Sequence, residues 1–332
     1  MGDLISNKTI ESVKRDNCFD FLRYLFAFSL ILVHFCTLTD TEQFWFISGQ
    51  MRVKAFFTIT GFLVVYSFLR RKSLKVYCWK RIVRIIPAYI TTILLCYLVG
   101  YFFSTASATD YYFSSQSLKY LVANLSFMNF IQPCLPGLFT DNTYGPFVNG
   151  SLWSMKLEVI FYILVPLIVF LMHKINKTIV LVIVYILLTI YNQFFDNSVN
   201  TFIYFFSGTA ILLYFDWFCQ HIKWIFPFCI VYMIIIFFFD YSFLYYIEPL
   251  IFSAIIVGIA YYCKPLNFLQ RYDNISYGLY LYHFPVIQVL VQYKLHQHNI
   301  YITFIFALII TILLAIISWY IIEKPMLQRK VN

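Results

Sequence analysis

Apolar residues recur along this chain in long runs, broken by short charged or turn-rich intervals. The runs approach the ~20 residues that a helix needs to cross a bilayer. Ten of them, at 20–39, 53–69, 85–103, 152–172, 178–195, 199–215, 224–239, 245–263, 274–293 and 300–322, predict ten transmembrane helices. The fold class that follows is an all-α polytopic integral membrane protein. The first run comes after a polar start ending in Arg15–Asp16 and reads as a signal anchor rather than a cleaved leader.

Composition sharpens this picture. The 332 residues are 61% hydrophobic and 12% charged, against roughly 45–50% and 25% in soluble domains. A soluble globule cannot keep so much apolar surface from water, and a disordered chain needs the opposite bias. The net charge of +9 does not point to nucleic acid, because Lys and Arg are scattered between apolar runs instead of gathering on one face. Eight cysteines stand singly, with no metal-type spacing, so no metal site is expected.

The basic residues set the orientation. Most of the 24 Lys and Arg fall in alternate loops, densest at Arg70, Arg71, Lys72, Lys75, Lys80, Arg81 and Arg84. Only Arg52, Lys54, Lys119 and Lys294 fall in the opposite loops, and Lys156 lies inside a run. The positive-inside rule then puts both termini in the cytoplasm. Residues 1–19 form a cytoplasmic segment, 20–325 the membrane domain and 326–332 a tail. The long outer interval 104–151, with Pro133, Pro136, Gly137, Asp141, Asn142 and Gly145 near its end, is expected to be partly structured and to cap an outer site.

Ionisable groups within a span are costly, and they are functional candidates for that reason. Of fifteen acids only Glu158 lies well inside a run; Glu248 falls near an outer boundary, where solvation accounts for it. His34 and His283 are the histidines within spans. Arg23 and His34 are eleven residues apart, which at about 100° per residue is three turns plus ~20°, so they share one helix face about 16–17 Å apart. That geometry suits a long, phosphate-bearing ligand lying along the helix.

Six segments then occur in order: DFLRYLFAFSLILVHF (Asp20 to Phe35), FFTITGFL (Phe56 to Leu63), KRIVRIIPAY (Lys80 to Tyr89), NGSLWSMKLEVIFYILVP (Asn149 to Pro166), ISYGLYLYHFPV (Ile275 to Val286) and SWYIIEKP (Ser318 to Pro325). The series closely resembles the membrane-bound acyltransferase-3 family, O-acetyltransferases of bacterial surface polysaccharides, from about 20 to 325. The resemblance implies an enzyme of the bacterial cytoplasmic (inner) membrane. It would move an acyl group, most simply acetyl, from cytoplasmic acetyl-CoA or another acyl-CoA to a hydroxyl of a surface glycan or its lipid-linked precursor. No permanently bound cofactor is implied. The family's Arg-x10-His pattern is matched by Arg23 and His34, and its Arg-x-x-Arg by Arg81 and Arg84. Its Trp-Ser-x-x-x-Glu element falls on Trp153, Ser154 and Glu158, and a Tyr-x-x-His-like element on Tyr280 and His283. Thr60-Gly61-Phe62 stands where the family commonly has Ser-Gly-Phe, keeping the hydroxyl. Some relatives carry an added extracytoplasmic esterase-like domain, which this chain is expected to lack.

Acyl transfer needs a base for the acceptor hydroxyl, and imidazole suits that task near neutral pH. His34 is the candidate, as base or as nucleophile, with Glu158 orienting it as the acid does in a catalytic triad. Arg23, Arg81 and Arg84 are candidates for the CoA phosphates, since guanidinium stays charged and binds bidentately. Trp153, Ser154, Thr60, Tyr280 and His283 are candidate substrate-site residues, and Glu323–Lys324–Pro325 reads as a helix-end motif. A transporter or flippase, with Glu158 and His34 as a proton relay, is the alternative from another class. Inverted repeats and paired broken helices are not apparent in the sequence.

Overall fold

The computed structural model describes residues 4–13, 17–42, 48–70, 73–194, 201–239 and 242–329. Arg15, Asp16, Arg71 and Lys72, used above for the start of the first span and the orientation, lie outside the described residues. Among the described residues there is no strand, and each of the ten apolar runs is met by a helix. These are α1 (Phe19–Leu38), α2 (Gly49–Leu69), α3 (Leu74–Val99), α4 (Trp153–Lys174), α5 (Lys177–Phe194), α6 (Thr201–Leu213), α7 (Phe215–Phe238), α8 (Glu248–Tyr262), α9 (Ser276–Gln292) and α10 (Ile300–Ser318). Seven are long and apolar enough to cross a membrane, and α6 and α8 are shorter apolar helices. The chain is an all-α polytopic membrane protein.

Two helices begin well before their apolar runs: α3 at Leu74 instead of 85, and α7 at Phe215 instead of 224. A hydropathy window stops at Lys and Arg, whereas a helix continues through these good helix formers, whose stems snorkel toward the polar boundary. Arg81 and Arg84 are therefore helical residues of α3, not part of the loop ahead of it.

The chain divides into two compact units. The first comprises Met1–Phe26, Ser48–Tyr77 and Tyr162–Asp273. Its centre is the pairing of α2 with α6, which run in the same direction, as two spans four apart must. Gly61 meets Phe205 and Gly208 meets Thr58 so closely that a methyl on either glycine would overlap the facing carbonyl. Thr58 and Ser253 share a hydroxyl–hydroxyl bond of 2.8 Å that ties α8 to the pair. Without a hydrophobic drive between helices in lipid, such small-residue contacts and interhelical hydrogen bonds hold the bundle. Glu248 departs from the sequence expectation. It is only 6% exposed, pairs with Lys54 at 3.3 Å and accepts a hydrogen bond from Tyr204. The Lys54 ammonium also lies over the Tyr204 ring. A carboxylate there is tolerated because it is paired, not because it is solvated.

The second unit comprises Ala27–Ile47, Cys78–Phe161 and Asn274–Asn332. Here α9 packs along α3, with Tyr277 Oη donating to the Ile85 carbonyl at 3.1 Å. Gly278 allows Ala315 of α10 to approach the α9 backbone. The outer interval is structured, with short helices at Ala108–Phe113 and Ser115–Leu125 capped by Ser107 and Ser114. Asn124 closes it on itself, donating to the carbonyls of Tyr120 and Gln132 at 2.9 and 3.0 Å. Burial pushes the Tyr111 and Tyr120 phenols above the ordinary tyrosine value, which keeps both protonated. At the other end of this unit α10 passes into a π-turn, Trp319–Glu323, a local widening that turns side chains out of α-helical register.

Candidate active site

In the second unit His34 of α1 and His283 of α9 meet. His34 Nδ1 and His283 Nε2 are 2.7 Å apart. Their ring planes differ by 1° and their centres are 5.0 Å apart. That separation is what two imidazoles joined edge to edge through this bond require, so the rings are coplanar, not stacked face to face, and the bond is well aligned. His283 is fully buried, and its Nδ1 lies 3.0 Å from the Leu279 carbonyl. A carbonyl only accepts, so His283 carries its proton on Nδ1. A neutral His283 then offers the Nε2 lone pair to His34, which donates from its own Nδ1. With both rings neutral, this order of tautomers puts the remaining ring lone pair on Nε2 of His34, a residue that is only partly buried. The ring is further fixed by Phe284, edge-on at 5.5 Å.

One helical turn before His283, Tyr280 gathers the start of α4. Its hydroxyl donates to the Ser151 carbonyl and accepts from Ser154 Oγ at 3.0 Å. Glu158, one turn further along α4, lies within electrostatic reach of that phenol. The Trp-Ser-x-x-x-Glu and Tyr-x-x-His elements, more than a hundred residues apart in sequence, thus form one polar seam. Trp153 opens α4 and is half-buried beside it. His283 makes a contact that orients the His34 ring, and Glu158 lies within electrostatic reach of the phenol whose ring centre is 6.3 Å from that of His283.

Residues that the sequence analysis did not single out lock this seam. Asn149 donates to the Leu281 carbonyl at 2.8 Å while its Oδ1 accepts from the Ser151 amide and hydroxyl. Gly150 lies against the Phe284 ring, where a Cβ would be 2.7 Å from Cζ. Gln288, fully buried, accepts from Asn142 at 2.7 Å and donates to the Gly145 and Phe147 carbonyls at 3.0 and 2.8 Å. An amide in the middle of an apolar run was a readable signal, missed when only ionisable groups were weighed.

The arginines fall into two sets. Arg81 and Arg84 lie on α3 of the second unit, with Arg84 next to Ile85, whose carbonyl receives Tyr277. From Tyr277 to His283 along α9 is six residues, a rise of about 9 Å. Glu323 is more than the helix-end residue expected. It is 1% exposed, accepts from Ser318 at 3.2 Å and lies within electrostatic reach of Arg84. Arg23 belongs to the part of α1 in the first unit and pairs with Asp20 at 3.4 Å. Thr60 is also a first-unit residue, half-buried on α2.

Residues 16–323 match the family described as an acyltransferase domain, Acyl_transf_3. The chain is similar to an O-acetyl transferase of Shigella phage Sf6, at 27% identity covering 95% of this chain and 97% of the relative. It is also similar to Nodulation protein 10 of Rhizobium leguminosarum bv. viciae, at 23% identity covering 95% and 94%. No solved structure matches the chain.

Proposed function

The chain belongs to the acyltransferase-3 family, and we propose that it is an O-acetyltransferase using acetyl-CoA and a saccharide hydroxyl, with His34 as its base. The hydroxyl belongs to a surface glycan or its lipid-linked precursor, and the enzyme lies in the bacterial cytoplasmic membrane with both termini inside. The observation that carries this reading is the Leu279–His283–His34 hydrogen-bond chain, which leaves a lone pair on His34 Nε2. That nitrogen takes the proton of the acceptor hydroxyl as its oxygen attacks the thioester carbonyl. The C–S bond breaks, the CoA thiolate leaves, and the imidazolium is stabilised through Nδ1–H by His283. His283 supplies the orientation that an acid supplies in a triad. Glu158 is the carboxylate that favours the imidazolium and orders the Tyr280–Ser154 seam.

Arg81 and Arg84 take the CoA phosphates, with Glu323 aiming Arg84 from behind. An extended pantetheine arm covers the axial distance from these arginines to His34. Tyr280, Ser154 and Trp153 remain substrate-site candidates of the second unit. Arg23, on the same helix face as His34, and Thr60 are candidates that lie in the first unit.

The test is transfer of labelled acetyl from acetyl-CoA by the purified protein in lipid nanodiscs, with and without saccharide acceptor. Label in the saccharide, lost in His34→Ala, is the expected result. Saccharide movement across vesicles with no label incorporated would replace the enzyme by a transporter.

A further inference from the structure

One residue along α9 from His283, the second unit holds a cavity of about 280 Å³ that the chemistry above does not use. It runs beside α9 from Tyr282, the neighbour of His283, to Leu290, a rise of about 12 Å. The far walls come from the end of α3, from Leu314 of α10 and from Leu138 of the outer segment. Its surface is almost entirely carbon. An apolar cavity of even ~150 Å³ stays free of water and takes apolar ligands, so this one is built for hydrocarbon.

Its access route is equally defined. The lining residues Leu95, Val99 and Ile310 are 36%, 39% and 36% exposed, on helices whose outer surface is apolar and faces lipid. On the opposite flank the outer segment is clamped down by the Asn142–Gln288 bond and the two bonds from Gln288 to Gly145 and Phe147. The occupant therefore arrives sideways from the bilayer. An acetyl donor held at Arg81 and Arg84 has no group that would fill this space.

We propose that the cavity binds the hydrocarbon anchor of a lipid-linked saccharide, which makes the acceptor the membrane-bound precursor and not the finished polymer. The proposal rests on the acyltransferase reading and selects between its two acceptor forms. Holding the anchor from Tyr282, the neighbour of His283, onward keeps the saccharide at a high effective concentration near His34 Nε2.

The experiment photolabels the wild-type protein in nanodiscs with a diazirine-bearing polyprenyl phosphate and maps the labelled peptides. Label on α9 or α10 at the cavity, competed by unlabelled polyprenyl phosphate but not by tenfold more phosphatidylglycerol or palmitoyl-CoA, is expected. Equal competition by phosphatidylglycerol would make the site one for bulk lipid. Equal competition by palmitoyl-CoA would make it a donor acyl pocket, and absence of cavity label would also overturn the proposal. A second measurement fills the space with Leu314→Trp or Val289→Trp. The KM for a polyprenyl-linked saccharide should rise at least tenfold, with the KM for acetyl-CoA and transfer to a short soluble saccharide within twofold of wild type. An unchanged KM for the lipid-linked acceptor in folded variants would reject the assignment. Failure of the enzymatic reading itself shows separately, as wild-type protein that labels but transfers no acetyl group.

Discussion

The pairing of α2 with α6 in the first unit and the surroundings of α9 in the second solve the same problem by different means. In the first, glycines let two backbones touch: Gly61 on Phe205 and Gly208 on Thr58 leave no room for a side chain. Its buried Glu248 is paired with the half-buried Lys54. In the second, α9 carries His283, Tyr280 and Gln288, each bonded to a different partner segment, and a cavity stands open along one side. Close packing gives a region with a single arrangement and little chemistry. Buried polar networks and unfilled space cost stability, and they mark a region as a candidate for handling substrate.

The sharpest break of this contrast is at the histidines. His34→Ala should lower acetyl transfer by about 10³-fold or more while the protein still inserts and folds. His283→Ala should cost about 10²-fold, because His34 loses the acceptor that fixes its tautomer. His283→Gln should recover part of that loss, since its carbonyl can accept from His34 Nδ1–H. If the two act as one unit, the double alanine variant should be scarcely worse than His34→Ala alone. Steady-state kinetics of the four proteins checks this, and additive losses would show that His283 acts elsewhere.

Next in size, Gly208→Leu should destabilise the first unit by about 3 kcal/mol, beyond ordinary overpacking because the obstacle is a backbone carbonyl. Thermal unfolding in detergent measures it. Any surviving folded protein should keep its wild-type KM for acetyl-CoA, whereas a selective KM change would mean that this pairing also shapes the substrate site.

The donor end should respond in binding more than in fold. Arg81→Ala with Arg84→Ala should raise the KM for acetyl-CoA by about 10–100-fold, with Lys at both positions recovering only part, for want of the planar fork. Glu323→Gln should give a smaller rise, a few-fold, if it only aims Arg84. Unchanged acetyl-CoA affinity in the double arginine variant would remove the pair from the donor site.

The smallest effect belongs to the first unit's ion pair. Lys54→Met should cost about 1–2 kcal/mol of stability, since Lys54 keeps 30% of its side chain exposed and solvent screens part of the pair. Adding Glu248→Gln should return some of it, because the second change removes the stranded carboxylate. A loss of acetyl transfer in the folded single variant would instead draw this cluster into function.

The sequence by itself determined where the ten helices lie, because every backbone group within an apolar run must be satisfied inside its own helix; seven of them are long and apolar enough to cross a membrane. The sequence also marked the candidates for chemistry, since a His or Glu within such a run is expensive enough to stand out. It misjudged Glu248 as solvated, because one-dimensional position cannot show that Lys54 and Tyr204 fold over it. Only the tertiary structure decided that α9 sets His283 against His34, that Glu323 is buried in a π-turn within electrostatic reach of Arg84, and that a hydrocarbon-lined cavity runs along α9 from the neighbour of His283. Those outcomes depend on azimuth and on the empty space between side chains. A helix of given hydropathy can be rotated or repacked with its sequence unchanged, so neither quantity is written in the order of residues along one span.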